Sequence, residues 1–459
     1  MNPLGGAFKF LATTIFNSVL GLIFFLIAGH FANPSFVGKV AIIQLMETIT
    51  GSFFAILPYS IITREISHRY AKNEEYKRIA HTALSFALLI SPFLLFLLFF
   101  QSYLWLSIPY FIIYLYTNYQ GQVLSGLGKF TEVNVGNAIF TIARWGFSVL
   151  AVFYHNVELL IAIWTIGALI KAIYYHLYIP FGFGLDKEVF KEIVKVGLPI
   201  YLTGIVSFIS SQGDRVITAF LLGSYYLGIY QLVSLVAIVP SILISSLSSS
   251  LLPSSTYYYA KGSNIEEMSS LTVRLLTLFS LPIAILAYAI SPFFISKLFP
   301  QYVLGIRAME LIVLSLTSTM PLQILSAFLV AAKKNYRPFI IIGLISALEV
   351  VGVSYYLIPR MGILGAAIAQ AFNAIITSAL YVAFANSQKV FLLGKKEKMA
   401  ILIITISFFS LINWAISLVV ILILFKISGI ISTKDVILVE NFIPTPLKSI
   451  SKLLYLVAK

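Results

Sequence analysis

The chain has 459 residues, of which 59% are hydrophobic and 10% charged, with a mean hydropathy of +0.96. Soluble domains carry about 25% charged residues, so the composition excludes a soluble globular protein and points to a polytopic membrane protein, whose length counts spans rather than domains. The absence of cysteine excludes disulfides, thiolate metal sites and cysteine nucleophiles; the five histidines (His30, His68, His81, His155, His176) have no ligand spacing, so no metal and no cofactor are expected.

The opening MNPLGGAFKF lacks the charged start and small-residue cleavage site of a secretory signal, so the first apolar run is read as a retained span. A spanning helix needs roughly 20 apolar residues. Runs of that kind are expected at 8–30, 36–62, 80–101, 103–127, 131–155, 157–180, 196–222, 225–252, 270–297, 304–331, 337–358, 361–386 and 400–425. Assigned alternately to the two sides, the loops and helix ends on the side of the N-terminus hold 20 Lys and Arg and the other side holds 4. The positive-inside rule then makes the N-terminus cytoplasmic and accounts for the net charge of +14 without a nucleic-acid partner. A cysteine introduced at Lys72 or Lys187 is expected to resist a membrane-impermeant label in intact cells; labelling there would invert the topology.

The tail breaks the alternation. Either 399–431 is a tight hairpin of two short helices, or Lys426, Lys434, Lys448, Lys452 and Lys459 lie outside. Segment 447–459 puts Ile450, Leu453, Leu454 and Val457 on one face and reads as an amphipathic interfacial helix.

Two weak internal matches suggest a repeat: an offset of 190 aligns Gly38 with Gly228 and Phe36 with Tyr226, and an offset of 206 aligns Gly146 with Gly352. The expected architecture is all-α and integral to the membrane. It has 12 core transmembrane helices in two six-helix lobes related by a parallel pseudo-twofold repeat, plus one or two extra C-terminal helices. The boundaries are 1–180 for the N-lobe, 181–195 for a linker helix on the cytoplasmic surface, 196–386 for the C-lobe and 387–459 for the extra segment and basic tail.

Charge inside a span costs about 2.5–3.5 kcal/mol on insertion scales and usually marks a pathway. Glu47, Arg144, Asp214, Arg215, Glu310 and Glu349 nevertheless fall within spans. Asp214 and Arg215 are adjacent, so they point about 100° apart on a helix and each needs a partner elsewhere. Polar residues also recur at helical spacing: Thr203, Ser207, Ser211, Asp214, Thr218; Asn134, Asn137, Thr141, Arg144, Ser148; Thr13, Asn17; Gln44, Glu47; Ser234, Ser241, Ser245, Ser248. Small polar residues alone would serve helix packing. The arginines instead suit an anionic headgroup such as a phosphate or pyrophosphate, and Glu47 is expected to pair with Arg215 when no cargo is present. The substrate-binding candidates are Arg144, Arg215, Asp214, Glu47, Gln212, Asn17, Asn137 and Glu349; none is catalytic.

Residues 197–231, GLPIYLTGIVSFISSQGDRVITAFLLGSYYLGIYQ, resemble the seventh-span signature of polysaccharide-biosynthesis flippases, and 36–69 resemble their second span with its basic exit. These belong to the multidrug/oligosaccharidyl-lipid/polysaccharide (MOP) exporter superfamily. The resemblance implies two six-helix lobes around a central cavity that opens alternately to either face. It implies a cargo of polyprenyl-phosphate- or -pyrophosphate-linked oligosaccharide moved from the cytoplasmic to the outer leaflet of the cell membrane. Asp214 and Arg215 match the seventh-span polar pair; Arg144 matches no motif. Expected partners are that substrate, membrane lipids and glycan-assembly enzymes, and the protein is expected to be a monomer. A cation-coupled drug exporter of the same superfamily is the nearest rival, but its coupling ion needs acids on the first helix, and 8–30 has none. A membrane glycan polymerase or ligase needs a large external loop, and the external loops expected here are short.

Overall fold

The computed structural model describes residues 3–179, 182–260, 264–332 and 337–432, and every regular element among them is helical. A bilayer admits only helices and closed barrels, because the backbone must satisfy its own hydrogen bonds. Nine helices among the described residues are long and apolar enough to cross a membrane. The expected tail helix 447–459 and Lys434, Lys448, Lys452 and Lys459 lie outside the described residues, as do Lys261, Lys333 and Lys334 of the charge count. Contacts divide the chain into two units, Met1–Leu232 and Val233–Lys459.

The first unit opens with α1 (Pro3–Phe31) and α2 (Pro34–Phe53). Asn33 caps α2, its side chain accepting from the Phe36 N–H at 2.8 Å, with Pro34 in the first turn. The expected single span 36–62 is corrected: α2 ends at Phe53 and α3 (Tyr59–Ala71) starts afresh. Pro58 is the cause, since it holds an extended conformation and disfavours helix at the residue before it. Other expected spans are also interrupted. α4 (Lys77–Ile90) continues as a 3-10 turn, Ser91–Phe99, from Pro92 onward. α5 (Ser102–Leu106) and α6 (Ile108–Gly126) break at Ser107, before Pro109. α7 (Phe130–Thr141) passes through a π-helical segment, Ile142–Phe147, into α8 (Val149–Phe153). α9 (Val157–His176) is unbroken.

The expected linker segment joins the helix that follows it. α10 (Lys187–Ala260) enters the seventh span without interruption; its one non-helical residue is Gly223, at φ 77° and ψ −176°. Nothing in 187–196 breaks a helix, so the chain has no reason to stop there. Val189 and Ile193 are buried with Ile66 of α3 and with Ile79 and Phe86 of α4, so the start of α10 packs on those two helices. A side chain at Gly197 would strike the Pro58 ring, which fixes how closely α10 passes the α2–α3 break.

The second unit comprises α11 (Ile265–Leu298), α12 (Ile306–Gln323), α13 (Leu325–Ala331), α14 (Arg337–Met361) and α15 (Ile363–Ser387). They are followed by α16 (Lys395–Ser407) and α17 (Trp414–Ser428). The last two settle the alternative left open at 399–431. Arg274 on α11 lies 3.3 Å from Glu397 in the first turn of α16 and donates at 2.9 Å to the carbonyl of Ile430, just past α17. One guanidinium thus touches both open ends, so α16 and α17 form a hairpin. Ile403 and Ile404 from one arm and Ile421 and Phe425 from the other share a single buried core.

Candidate functional site

Two polar sites lie within the first unit. The deeper one is built on Arg144. Its Nη1 and Nη2 donate to Glu47 Oε1 and Oε2 at 3.0 and 2.7 Å, and Tyr110 Oη donates to Oε2 at 2.8 Å. Trp145 and Trp164 stand 4.5 and 4.6 Å from the guanidinium carbon and cross each other at 79°. Trp164 Nε1 donates to the Arg144 carbonyl at 3.0 Å, inside the π-helical segment. π-bulges are rare and recur at functional sites; here the bulge brings Arg144 under both indoles. Glu47 is 6% exposed and Tyr110 0%. This is a closed, bidentate ion pair with cation–π cover, strong because each carboxylate oxygen has a donor.

The second site answers why Asp214 and Arg215 sit side by side. Asp214 is fully buried and accepts from Tyr230 Oη at 2.5 Å, joining α10 before and after the Gly223 break. Arg215 turns the other way, into a cavity of about 160 Å³ lined by Ala41, Gln44, Leu45 and Thr48 of α2 and Gln212, Arg215 and Gln231 of α10. Arg215 Nη1 donates to Gln212 Oε1 at 3.0 Å, while Nε is buried without a partner. No carboxylate neutralises Arg215 among the described residues. The expected Glu47–Arg215 pair is therefore corrected: Glu47 is held by Arg144. The sequence shows depth along a helix but not which way a side chain turns toward its neighbours.

The ends of the helices above this cavity are locked by glycine. A Cβ on Gly38 would fall 1.7 Å from the Ser224 carbonyl oxygen, and one on Gly228 would fall 1.8 Å from that of Pro34. Ser35 and Ser224 hydroxyls meet at 3.2 Å. Gly38 and Gly228, matched by the 190-residue offset, thus face each other reciprocally, as residues on a local twofold axis must. Gly38→Ala is expected to lower stability by about 1–3 kcal/mol through overpacking, read as the unfolding midpoint in detergent; an unchanged midpoint would show that this contact opens freely.

The other expected site residues are dispersed. Asn17 Oδ1 accepts from Trp145 Nε1 at 3.0 Å and Thr141 Oγ1 at 3.2 Å, so it supports the Arg144 site. Asn137 accepts weakly from Tyr175 Oη at 3.4 Å. Glu349 lies in the second unit and accepts from Asn373 Nδ2 at 3.0 Å. Side chains of Ser241, Ser245 and Ser248 lie outside the described positions. Tyr110, Tyr230 and Gln231 were not singled out from sequence, since a tyrosine or glutamine in an apolar run carries no distinctive spacing. Lys171, counted with the cytoplasmic lysines, is 6% exposed and lies 5.5 Å from the ring centres of Phe140 and Tyr175.

Residues 129–304 match the family described as "Polysaccharide biosynthesis protein". This stretch carries Arg144, Asp214 and Arg215. No curated protein sequence matches the chain. Among solved structures, the chain is similar to the lipid II flippase MurJ in an inward closed conformation, at TM-score 0.65 and 14% identity over 91% of this chain and 98% of that one. It is also similar to a multidrug resistance MATE family transporter of the MOP superfamily in an inward-facing conformation, at TM-score 0.62 and 13% identity, covering 81% and 94%. The fold is that of the MOP transporters, on an all-helical, multi-pass membrane protein.

Proposed function

We propose that this chain is a flippase that moves a polyprenyl-(pyro)phosphate-linked oligosaccharide from the cytoplasmic to the outer leaflet by alternating access. The observation that carries the reading is Arg215: a cation facing a polar cavity with no carboxylate to neutralise it among the described residues. A phosphate arriving there would supply the missing negative charge. Arg144 has its counter-ion already, which leaves it a structural part. Orientation with a cytoplasmic N-terminus follows from the lysine distribution. The two lobes, 1–180 and 196–386, the intervening 181–195 and the additional 387–459 are part of the same reading, as are monomeric state, the cell membrane and contact with glycan-assembly enzymes. The reading leaves the chemistry of glycan assembly to other proteins, since the site offers a cation and amides rather than a nucleophile and base.

Cation-coupled drug export is less well supported. The two buried acids of the first unit are occupied, Glu47 by Arg144 and Asp214 by Tyr230. The deciding assay uses proteoliposomes containing a fluorescent polyprenyl-pyrophosphate saccharide. Wild-type protein is expected to move it between leaflets, measured by its accessibility to an external glycosidase, and not to extrude a cationic dye. Dye extrusion without saccharide movement would transfer the reading to drug export.

A further inference from the structure

The cavity at Arg215 has more polar groups than a phosphate can use. Gln44 Oε1 is buried without a donor. Gln231 is 6% exposed, lines the cavity and makes no hydrogen bond among the described residues. Thr48 donates its hydroxyl proton to the Gln44 carbonyl at 2.9 Å, which leaves its oxygen free to accept. Gln212 Oε1 is taken by Arg215. The open positions therefore include acceptors, at Gln44 Oε1, Thr48 Oγ1 and Gln231 Oε1, beside donors at Arg215 Nε and the amide groups of Gln44, Gln212 and Gln231. A phosphate or pyrophosphate anion accepts only, so it can take up the Arg215 and amide donors but leaves Gln44 Oε1 without a donor. A sugar ring donates and accepts through every hydroxyl, and its C–H face suits the neighbouring Ala41 and Leu45 walls.

Size agrees. A cavity of about 160 Å³ holds roughly five waters at about 30 Å³ each, which is the scale of one sugar residue and far below a whole oligosaccharide. In a lipid-linked glycan the first sugar is bonded directly to the phosphate. The cation and the amides line one cavity, so both ends of this linkage meet polar groups of the same site.

We infer that Gln44, Thr48 and Gln231 form a subsite that reads the sugar attached to the phosphate at Arg215, and so select among cargoes by their first sugar. This rests on the flippase reading, and the test separates the two. Binding of farnesyl pyrophosphate and of farnesyl-pyrophosphoryl-N-acetylglucosamine is measured on the detergent-solubilised full chain. The sugar is expected to raise wild-type affinity at least about tenfold, the worth of one or two net hydrogen bonds. Gln44→Met and Gln231→Met, which keep side-chain length but lose the amide, are each expected to remove that gain while leaving farnesyl pyrophosphate within about twofold of wild type. Either variant alone suffices if the other does not fold. Equal wild-type affinity for the two lipids, or equal weakening of both by the glutamine variants, would overturn the subsite while leaving the flippase reading in place. No binding of either lipid by wild type would overturn the flippase reading, and the subsite with it.

Discussion

Truncation of Glu47 to alanine is expected to destabilise the protein by about 3–5 kcal/mol, the range measured when one partner of a buried ion pair is removed. Arg144 would be left with a side chain only 12% exposed, two indoles and no counter-ion. Arg144→Ala should cost a similar amount, because Glu47 would keep only the Tyr110 hydroxyl. Replacing both with apolar residues of similar volume, Glu47→Leu with Arg144→Met, should return stability to within about 1 kcal/mol of wild type, since neither charge is then stranded. Unfolding midpoints in detergent read all three. Single variants within 1 kcal/mol of wild type would show that the pair is incidental. The double variant also assigns Arg144 its role. Saccharide transport by a refolded double variant makes the pair a structural clamp; a stable but inactive one returns Arg144 to the substrate path.

How far these sites could be read in advance depends on what a one-dimensional pattern encodes. Polar faces at helical spacing were legible only in part: Glu47, Asp214 and Thr218 of these stripes are buried, whereas Asn17, Thr203, Ser207 and Ser211 are exposed. The adjacency of Asp214 and Arg215 already required two different partners, and the structure supplies Tyr230 for one and the cavity for the other. Pairing was not legible. Glu47 and Arg215 match in depth, but Glu47 is bonded to Arg144, which lies in the π-helical segment of its own helix.

Hydropathy also smooths over breaks. The run 36–62 is long enough to read as one span, yet the chain leaves helical conformation between Phe53 and Tyr59, where Pro58 stands. At 187–196 the opposite holds: three lysines crowd the segment, yet no residue there interrupts helical backbone. Charge is a weaker stop signal than proline, because a charged side chain can leave the helix surface and the backbone cannot.

Arg215→Ala is expected to have the opposite profile to the Arg144 variant: large loss of function with no loss of fold. An Arg215 guanidinium held only by Gln212 is a cation with no counter-ion among the described residues, so its removal takes away a desolvated charge and should leave the unfolding midpoint unchanged or higher. Function should suffer because hydrogen bonds to a charged group are worth about 1.5–3 kcal/mol, which is roughly 10- to 150-fold in affinity for a phosphate-bearing lipid. Arg215→Lys should keep part of this, since the charge survives but the planar fork that engages two phosphate oxygens does not. Gln212→Ala tests the same geometry from the side, because it frees Nη1 without altering charge; it is expected to weaken binding less than Arg215→Ala. The measurement is saccharide movement in proteoliposomes beside the unfolding midpoint of the same preparation. Normal transport by Arg215→Ala would remove the phosphate from this cavity. A lowered midpoint would mean that the Arg215 charge is compensated within the fold and that its place beside Asp214 serves packing alone.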